Sequence, residues 1–394
     1  MAPHTTSRDR MLAAIRGGTP DRVPLAFMIF ESLRTRVPDW FEQIDAQIAM
    51  GLDAVADMTW LAPQGDAIHP DTPGVPVGFH DDVQVKQWKE QPPGFRWPVL
   101  HKHYKTPAGA LTVAVNQTDD WEHGDDVPLF SDFLVPRCIK YMVEGEADLP
   151  ALRHLLAPPR RADIEACREM WRRARRFAHE RGVLLAAGWG VGADALGWLC
   201  GLDKAVWMAM DNPQLLDAVL DLVGEWNRVR MALMLEPGPD LFLRRAWYEG
   251  TAYWSPGLFR RFLLPRLRRE VEAVHDAGAA FGYILTMGGL QFADLLAEAG
   301  IDVLIGVDPT QDHGMDMAAM KQVSAGRFAL WGGVNGFVTV ELGKVQQVRK
   351  AVRQAVAALG PDAFILSPVD NVVRTDKKTL RNVDALIDEW TKVR

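Results

Sequence analysis

The sequence predicts an α/β fold, a (β/α)8 barrel of the TIM type with an inserted β-hairpin region on the barrel top. Short apolar runs alternate along the chain with amphipathic helical patterns, which is the order that builds a parallel sheet. A length of 394 residues suits one large barrel. A doubly wound sheet is the alternative, but no GxGxxG pattern follows the first strand and no GxxxxGK[ST] pattern occurs. We therefore expect one domain over residues 1–394, with the insertion at about 68–121.

The strand–helix–strand order is clearest in residues 279–309. Residues 281–285 and 302–307 are short apolar runs, and residues 290–299 between them place apolar side chains on one helical stripe. Two strands joined in this way pair in parallel, with both sheet faces covered. Ligands of such sheets bind at the carboxyl ends of the strands. The residues at these two ends are Thr286, Met287, Gly288 and Asp308.

The same reasoning places eight strands and the helices between them. The predicted strands are 25–27, 53–56, 183–187, 241–243, 281–285, 302–307, 328–331 and 364–366. The predicted helices are 8–16, 40–50, 148–156, 162–181, 203–210, 213–236, 256–277, 290–299, 348–359 and 380–393. Thr6 or Ser7 is expected to cap the first helix, since a side-chain oxygen there accepts from an N–H group that has no helical partner. Residues 101–105 and 110–115 flank a Thr-Pro-Ala-Gly turn and predict a β-hairpin.

The composition argues against several classes of protein. A hydrophobic content of 48% and a charged content of 24% fit a soluble globular protein, and a net charge of −7 disfavours a nucleic-acid surface. No apolar run reaches the ~20 residues that span a bilayer, and residues 1–12 lack the apolar core of a secretory signal. Cys138, Cys167 and Cys200 have no CxxC spacing, which indicates a reducing, cytoplasmic setting.

Several sequence segments together resemble one known superfamily. They are MLAAIRGGTPDRVPL at residues 11–25, YKTPAG at residues 104–109 in the hairpin, residues 255–265 before the fifth strand, and GGVN at residues 332–335 followed by TVE at residues 339–341. Their order and spacing resemble the uroporphyrinogen decarboxylase superfamily over nearly the whole chain. That superfamily includes the decarboxylase and methyltransferases that work with corrinoids, coenzyme M or folate. The resemblance implies a (β/α)8 barrel with its active cleft at the strand carboxyl ends, and a homodimer.

Two departures from the superfamily narrow the function. The decarboxylase carries an arginine-rich segment after strand one that helps hold the carboxylates of its tetrapyrrole, whereas the segment here reads FMIFESLR. Only Arg34 and Arg36 are nearby and Glu31 would repel an acidic substrate, so a porphyrinogen is disfavoured. The thiol-activating methyltransferases bind zinc through His-x-Cys after strand five and a Cys after strand eight. The matching positions are Leu285-Thr286-Met287 and Ser367-Pro368-Val369, so zinc is not expected.

Four residues are candidates for catalysis. Asp57 ends strand two, near the place where the resemblance puts an aspartate that stabilises a cationic intermediate; capping the next helix is the alternative. Glu249 follows two aromatic residues after strand four, where partial desolvation would favour the protonated form and a general acid. A salt bridge with Arg244 or Arg245 is the alternative for Glu249. The other two candidates are Tyr248 and Thr286.

The remaining candidates would bind substrate, and most follow predicted strands. Tryptophans near strand ends would suit a flat aromatic ligand or a large cofactor face, with ordinary packing as the alternative. The substrate-binding candidates are Phe30, Trp60, Trp189, Arg245, Trp247, Met287, Asp308, Asn335 and Asp370. No metal site is assigned, although His101 and His103, which face one side of the hairpin, would form one together with His80 or His123.

These features lead to one functional hypothesis and two alternatives. We expect a methyltransferase that moves a methyl group between a small compound, such as a methoxylated aromatic (O-demethylation), or folate and a corrinoid. No Asp-x-His-x-x-Gly segment supplies a corrinoid domain in this chain, so the corrinoid (cobalamin) would come on a partner protein. A cofactor-independent decarboxylase would instead use Asp57, with Arg34, Arg36, Arg244 or Arg245 holding the carboxylate. A non-catalytic ligand-binding barrel is the third hypothesis.

The hypothesis also fixes the expected cofactors and partners. We expect no tightly bound cofactor and no zinc, with the corrinoid or tetrahydrofolate acting as a co-substrate. The expected partners are a small-molecule substrate, a corrinoid-carrying protein and a second copy of the chain in a homodimer. Neither a nucleic acid nor a membrane is expected as a partner, because the chain is acidic and has no bilayer-spanning segment.

Overall fold

The computed structural model describes residues 5–61, 79–130 and 135–394, with every side chain among them except those of Asp163 and Trp189. The α-helices are α1 (Ser7–Ile15), α2 (Glu31–Arg34), α3 (Trp40–Ala49), α4 (Leu149–Leu155), α5 (Arg161–Arg181), α6 (Leu196–Leu199), α7 (Leu202–Asp211), α8 (Pro213–Leu235), α9 (Pro256–Leu258), α10 (Leu264–Asp276), α11 (Gly289–Ala299), α12 (Met317–Ser324), α13 (Val345–Leu359) and α14 (Lys377–Val393). The strands are β1 (Val55–Asp57), β2 (Gln84–Glu90), β3 (Val99–Thr106), β4 (Gly109–Asn116), β5 (Cys138–Lys140), β6 (Leu184–Gly190), β7 (Leu241–Arg245), β8 (Ala280–Ile284), β9 (Val303–Val307), β10 (Ala329–Asn335) and β11 (Phe364–Val369). Short 3-10 helices cover Met58–Trp60, Glu146–Asp148 and Ala193–Ala195, and π-helical turns cover Phe259–Leu263 and Gly336–Glu341.

Seven strands form one parallel sheet in the order β1-β6-β7-β8-β9-β10-β11. Strands β8 and β9, which flank α11 in the chain, pair in parallel with Gly282 opposite Val303. Every residue of β7, β9, β10 and β11 is buried, so both faces of these strands are covered. The prediction of a parallel α/β fold is therefore confirmed.

The first predicted strand does not join this sheet as a regular strand. It meets β11 through an isolated bridge at Leu25. Two of the N–H groups in this segment are bound by side chains: Asp53 accepts from Leu25 at 3.1 Å, and Ser367 accepts from Met28 at 2.9 Å. A ladder needs these groups for the neighbouring strand. The regular sheet thus holds seven of the eight strands that the sequence predicted.

The chain divides into two compact units. The first unit consists of Met1–Met58, Trp171–Trp189 and Leu235–Arg394, and the second of Thr59–Met170 and Gly190–Met234. In the first unit, apolar side chains of the parallel sheet and of the helices around it form the core, as in β8, where Phe281 and Tyr283 are fully buried. Most of the candidate site residues lie in or directly after strands of the parallel sheet, in the first unit.

The second unit is built on a four-stranded antiparallel sheet in the order β2-β3-β4-β5. β3 and β4 form a hairpin, and Thr106 stabilises its turn by donating from Oγ1 to the Gly109 carbonyl at 2.9 Å. Tyr104 is fully buried, whereas every residue of β2 is exposed. The beginning of the predicted insertion, residues 68–78, lies outside the described residues, and the place of the insertion on a barrel top stays a prediction.

Local chemistry explains where some helices begin and break. Thr6 caps α1 as predicted, because its Oγ1 accepts from the Asp9 N–H at 3.1 Å while the Asp9 carboxylate binds back to Thr6. Residues 256–277, predicted as one helix, form α9, a π-helical turn and α10. Pro265 explains the wider turn, since its ring would clash with the carbonyl of Arg261 in a regular α-helix. In the described part of the chain, no helix combines the length and the apolar character needed to cross a bilayer.

Candidate functional site

The strands of the parallel sheet all run in one direction, so their carboxyl ends lie on the same side of the sheet. Most candidate residues lie at these carboxyl ends, which we call the strand-end edge. Asp57 is the last residue of β1, Arg245 of β7 and Asn335 of β10. Asp308 directly follows β9, and Asp370 directly follows β11. The loops after β7 and β8 carry Trp247, Tyr248, Glu249, Thr286 and Met287. Because the strands are parallel, this edge is the one where α/β enzymes bind their ligands.

Glu249 lies at the centre of a buried charged network in the first unit. Its carboxylate is 2.7 Å from Arg244 Nη1 and accepts a hydrogen bond from the Tyr283 hydroxyl at 2.5 Å. Arg244 also binds Glu270 through Nε at 3.0 Å, and only 1% of Glu249 is exposed. Burial works to lower the pKa of Arg244, but the charges of Glu249 and Glu270 raise it well above its usual value. The geometry therefore favours a structural ion pair, rather than a general acid, as the role of Glu249.

Arg245 is the second arginine at the end of β7. Side chains alternate along a strand, so Arg245 points to the face opposite that of Arg244, and it too is buried. Burial lowers the pKa of Arg245 to about 10, which still leaves the guanidinium charged at neutral pH. Trp247 and Tyr248 follow in a half-buried turn, where the Tyr248 carbonyl accepts from Trp254 Nε1 at 3.1 Å. The end of β7 thus combines a buried cation with two partly accessible aromatic rings.

The loops after β7 and β8 approach each other so closely that two positions require glycine. A Cβ on Gly250 would lie 2.4 Å from the Met287 carbonyl oxygen, and one on Gly288 would lie 2.7 Å from Thr251 Oγ1. Gly288 also has a φ of +82°, in the left-handed region that favours glycine. Its N–H donates to Asp312 Oδ2 at 2.9 Å. The backbone around Met287 is therefore fixed, while its side chain stays exposed.

Asp308 and Asn335 form a buried polar cluster after β9 and β10. Asn335 Nδ2 donates to Asp308 Oδ2 at 2.6 Å and to Gln311 Oε1 at 2.5 Å. Asp308 Oδ1 accepts from the N–H groups of Thr310 and Gln311, and Asn335 Oδ1 accepts from the Val338 N–H. Asp308 and Asn335 are each 1% exposed. The polar atoms of both side chains bind within the protein, so these two residues hold the backbone that follows β9 and β10.

Asp370 differs from these residues because its side chain is exposed. It has a φ of 67°, and Ala363 is the one other non-glycine residue with positive φ in the described chain. Among the described residues, nothing donates a hydrogen bond to its carboxylate or pairs with it. Solvent reaches the side chain, yet the protein atoms around it, and then the charge of Asp308, raise the pKa of Asp370. An accessible carboxyl group that keeps its proton to a higher pH is suited to proton transfer.

Asp57, Thr286 and Phe30 also belong to the first unit. Asp57 is half-buried, and its backbone carbonyl accepts from Trp40 Nε1 at 2.9 Å. Thr286 is half-buried and lies two residues beyond β8. Phe30 is buried and stacks on Phe27 with the ring centroids 4.0 Å apart, which is a packing contact. Of these three residues, Asp57 and Thr286 have side chains that solvent partly reaches.

The remaining candidates are two tryptophans and the hairpin histidines. Trp60 closes the 3-10 turn after β1, is half-buried and belongs to the second unit. Trp189 lies in β6, and its side chain is outside the described residues. His101 and His103 lie on one face of β3, and His101 Nε2 is 2.7 Å from Glu90 Oε1. Within the ranges that the structure describes, no three or more His, Cys, Asp or Glu side chains are grouped to hold a metal ion.

The structure adds residues to the edge that the sequence did not single out. Tyr283 and Glu270 complete the network of Glu249. Gln311 binds Asn335 at the end of β10, and Asp312 binds Gly288 in the loop after β8. One signal was available for Tyr283. Its hydroxyl lies inside a buried apolar run, and a buried tyrosine hydroxyl usually has a hydrogen-bond partner.

A groove of about 1310 Å³ lies in the second unit between α4 and α8. Its walls are mostly apolar, as at Leu149, Leu222 and Val229, and Arg153 Nη1 is 3.2 Å from Glu225 Oε2 at its border. None of the candidate site residues lines it. We therefore place the candidate chemistry at the edge of the parallel sheet, where charged and polar side chains converge, and not in this groove.

The fold and this edge define the class of protein: a parallel α/β protein whose polar and aromatic side chains gather at the carboxyl ends of its strands. The family model described as uroporphyrinogen decarboxylase (URO-D) matches residues 125–392, which is more than half of the chain. The protein belongs to this family. The resemblance drawn from its sequence segments is thereby confirmed.

One solved structure gives the fold independent support. A methyltransferase from Methanosarcina mazei is 17% identical, with 99% of each chain covered and a TM-score of 0.61. A B12-independent methionine synthase from Shewanella sp. W3-18-1 is 9% identical over 57% of this chain and 66% of its own, with a TM-score of 0.39. A D-psicose 3-epimerase from Clostridium cellulolyticum H10 is 13% identical over 57% of this chain and 83% of its own, with a TM-score of 0.37. Among curated proteins, none matches this sequence. The first similarity extends over the whole chain and shows the fold.

Proposed function

We propose that the protein is a methyltransferase that moves a methyl group between a small methoxylated aromatic compound, or folate, and a corrinoid carried by a partner protein. Membership of the URO-D family and the shared fold of a solved methyltransferase support an enzyme of the methyltransferase or the decarboxylase type. The choice between these two types rests on the charges at the strand-end edge.

Two of the four arginines considered for a carboxylate are already paired with acids, and the proposal depends on this observation. Arg34 Nη1 is 3.2 Å from Glu31 Oε2, and Arg244 is paired with both Glu249 and Glu270. A decarboxylase acting on a tetrapyrrole needs cationic groups that can take several carboxylates. Arginines that acids already neutralise suit a substrate with little negative charge, such as a methyl ether.

Of the other two arginines considered for a carboxylate, Arg36 is exposed and Arg245 is buried. Arg36 Nε donates to the Ser32 carbonyl at 2.8 Å, and Arg245 is 4% exposed. A buried arginine can still receive one carboxylate, but several carboxylates on one substrate need several accessible cations. The edge therefore favours a neutral aromatic donor.

In the proposed reaction, the loops after β7 and β8 bind and orient the methyl donor. Trp247 is half-buried and Met287 is exposed, so both offer apolar surface to a flat ring. Thr286 would hydrogen-bond the ether oxygen through its hydroxyl. Holding the methyl carbon in line with the incoming acceptor would supply much of the rate, because the reacting groups would no longer have to find each other.

The proposal includes several features of the assembled protein. The sheet would close into a (β/α)8 barrel through the segment around Leu25, whose carbonyl accepts from the Asp53 N–H at 2.8 Å. The enzyme would be a cytoplasmic homodimer, and a reducing compartment would suit its free Cys138, Cys167 and Cys200. A corrinoid or tetrahydrofolate would be a co-substrate, with no tightly bound cofactor.

A second candidate function is cofactor-independent decarboxylation. The family match favours it, since the family takes its name from that activity. Asp57, half-buried at the end of β1, would stabilise positive charge that develops on the substrate. This candidate requires a substrate with few carboxylates, because acids already pair with Arg34 and Arg244.

The two candidates are separated by one pair of assays on the purified protein. In the first, cob(I)alamin is mixed with 2-methoxyphenol or 5-methyltetrahydrofolate, and the absorbance of methylcobalamin is followed. We expect methylcobalamin to form, and to form more slowly with Thr286→Val. Thr391→Val, the same change on the exposed face of α14, serves as the matched control and should leave the rate unchanged. Absence of transfer from either donor, with carbon dioxide released from a carboxylated pyrrole in the second assay, would establish the decarboxylase instead.

A further inference from the structure

Asp370 has a combination of properties that two other acids of the strand-end edge, Glu249 and Asp308, lack. Its side chain is exposed, and among the described residues its carboxylate binds nothing within the protein. Glu249 is 1% exposed and is held by Arg244 and Tyr283. Asp308 is equally buried and accepts three hydrogen bonds. Asp370 is therefore the acid with an accessible carboxyl group whose oxygens are not already bound.

The backbone holds Asp370 in an unusual conformation. Its φ of 67° places it in the left-handed region, directly after the last residue of β11. The next residue, Asn371, accepts the Glu31 N–H through Oδ1 at 3.2 Å, which ties this turn to α2. A β-bridge at Ile29 adds a second tie. The carboxyl group of Asp370 is thus presented from a fixed turn at the carboxyl end of a strand, where ligands of this class of fold bind.

We propose that Asp370 is the proton donor to the leaving oxygen in methyl transfer, an inference that rests on the proposed function. The bond between the ether oxygen and the methyl carbon breaks, and its electron pair stays on the oxygen. The reduced corrinoid acceptor supplies the electron pair of the new bond to the methyl carbon. The proton of the Asp370 carboxyl group passes to the oxygen, which leaves as a phenol, and water then reprotonates the Asp370 carboxylate.

The charges around Asp370 support this role. The protein atoms around the carboxyl group displace part of its hydration and, together with the negative charge of Asp308, raise the pKa of Asp370, so the acid form persists to a higher pH than in an ordinary aspartate. Two pairs of opposite charges also lie on the elements that adjoin this turn. They are Glu31 with Arg34 on α2, and Glu341, the last residue of the π-helical turn, with Arg374. Asp308 is therefore the charge that acts on Asp370.

The experiment compares two methyl donors whose leaving groups differ in their need for a proton. The leaving group of 2-methoxyphenol is a basic phenolate that needs a proton from an acid. The leaving group of 4-nitroanisole is a phenolate that its nitro group stabilises, so it needs the proton far less. With cob(I)alamin as acceptor, we expect Asp370→Asn to slow single-turnover transfer from 2-methoxyphenol by roughly 100-fold or more, the usual range of general acid catalysis. Transfer from 4-nitroanisole should change much less, and Asp370→Glu should recover part of the lost rate.

The controls separate a failure of this inference from a failure of the proposed function. Asparagine tolerates positive φ, so Asp370→Asn should keep the fold, which a thermal melt checks. Asp276→Asn, on the exposed end of α10, should change neither rate. If the wild type transfers methyl from neither donor, the proposed function fails. If the wild type transfers methyl but Asp370→Asn slows both donors equally or neither, or if Asp57→Asn alone gives the donor-dependent loss, the assignment to Asp370 is overturned.

The pH dependence gives a second readout that does not depend on the variant. Transfer from 2-methoxyphenol by the wild type should fall as pH rises through the raised pKa of Asp370, because the acid form is lost. The carboxyl carbon of Asp370, followed by NMR in the free protein, should titrate above the pH of an ordinary aspartate. A normal titration of Asp370, or a rate from 2-methoxyphenol that ignores that titration, would contradict the proposal.

Discussion

The hydroxyl group of Tyr283 donates a 2.5 Å hydrogen bond to the carboxylate of Glu249, and both residues are almost fully buried. Tyr283 is the fourth of the five residues of β8, and Glu249 lies in the loop after β7, so the bond joins β8 to that loop near the carboxyl ends of the strands. Arg244 binds the other carboxylate oxygen. The three side chains form a buried network that fixes the loop carrying Trp247 and Tyr248.

Removal of the Tyr283 hydroxyl should lower the free energy of unfolding, although the aromatic ring still fills the same space. In Tyr283→Phe, the buried Glu249 carboxylate loses one hydrogen bond, and the loss of a hydrogen bond to a buried charged group costs about 1–3 kcal/mol. Tyr253→Phe is the matched control, because Tyr253 is half-buried and its hydroxyl makes no hydrogen bond in the described structure. We expect the control to change the free energy of unfolding by less than about 0.5 kcal/mol. Urea denaturation measures both, and equal losses in the two variants would refute the importance of this bond.

Gly288→Ala should destabilise the protein more than an alanine at another left-handed glycine. Gly288 and Gly326 both have positive φ, but a Cβ on Gly288 meets Thr251, whereas a Cβ on Gly326 meets nothing within 4 Å. Gly326→Ala should therefore lose about 1–2 kcal/mol from backbone strain alone. Gly288→Ala should lose about 1–3 kcal/mol more, because the loops after β7 and β8 must move apart. Thermal melts of the two variants test this, and a smaller loss at Gly288 would contradict the close packing of the loops.

The apolar runs were sufficient to predict the parallel sheet, but not where its strands end. Residues 241–243 were predicted as a strand, and β7 continues through Arg244 and Arg245. Two arginines in a row indicate an exposed loop, unless acids elsewhere in the fold pair with them. Glu249 and Glu270 pair with Arg244 here, and no local pattern shows which acids will meet it. The burial of the Arg244 charge thus depends on tertiary contacts that the local sequence does not show.

Other differences have equally specific causes. Residues 328–331 were predicted as a strand that stops at Gly332-Gly333, yet β10 runs on to Asn335. The glycines do not break the strand, because Gly332 packs against the backbone of Val307 where a Cβ would not fit. Strand β2 was missed because all its residues are exposed, so it shows no buried face. A strand without a buried face has no periodic signal.

The candidate site shows the same division between local and long-range information. The sequence placed Asp57, Asp308, Asn335 and Asp370 at strand ends, and the structure has each of them there. The sequence did not show that the oxygens of Asp308 are bound within the protein while the carboxylate of Asp370 is accessible. That distinction depends on Asn335, which comes from the neighbouring strand β10.

Arg230→Met should stabilise the protein at neutral pH. Arg230 is 3% exposed on α8, and its guanidinium lies 3.8 Å from the centre of the Trp226 ring. Its Nε and Nη1 have no hydrogen-bond partner among the residues that the structure describes. Burying one charged group costs several kcal/mol in lost hydration, so an apolar side chain of similar length should stabilise the protein by about 1–4 kcal/mol. Arg228→Met, on the exposed side of the same helix, is the control and should change stability by less than about 0.5 kcal/mol.

The gain from Arg230→Met should also depend on pH. Burial lowers the pKa of Arg230 to about 9 in the folded protein, so above that pH the folded state releases a proton that the unfolded state keeps. The wild type then becomes more stable as pH rises, and the advantage of the variant should shrink above pH 9 and be fully present below it. Denaturation at pH 7 and at pH 10 tests this, and a variant that is less stable at both values would show that the cation is compensated.

Asp370→Asn should change the dependence of stability on pH. The folded protein raises the pKa of Asp370, so between the unfolded and the folded pKa the folded state holds a proton that the unfolded state has lost. The wild type therefore loses stability as pH rises through this range, whereas the asparagine variant has no proton to lose. The two proteins should be closest in stability at pH 3, and the variant should gain on the wild type as pH rises toward neutrality. Asp276→Asn should run parallel to the wild type at every pH, because its carboxylate is exposed at the end of α10. Thermal melts from pH 3 to pH 8 measure the difference, and a constant gap between wild type and Asp370→Asn would mean that the folded environment does not favour the protonated acid.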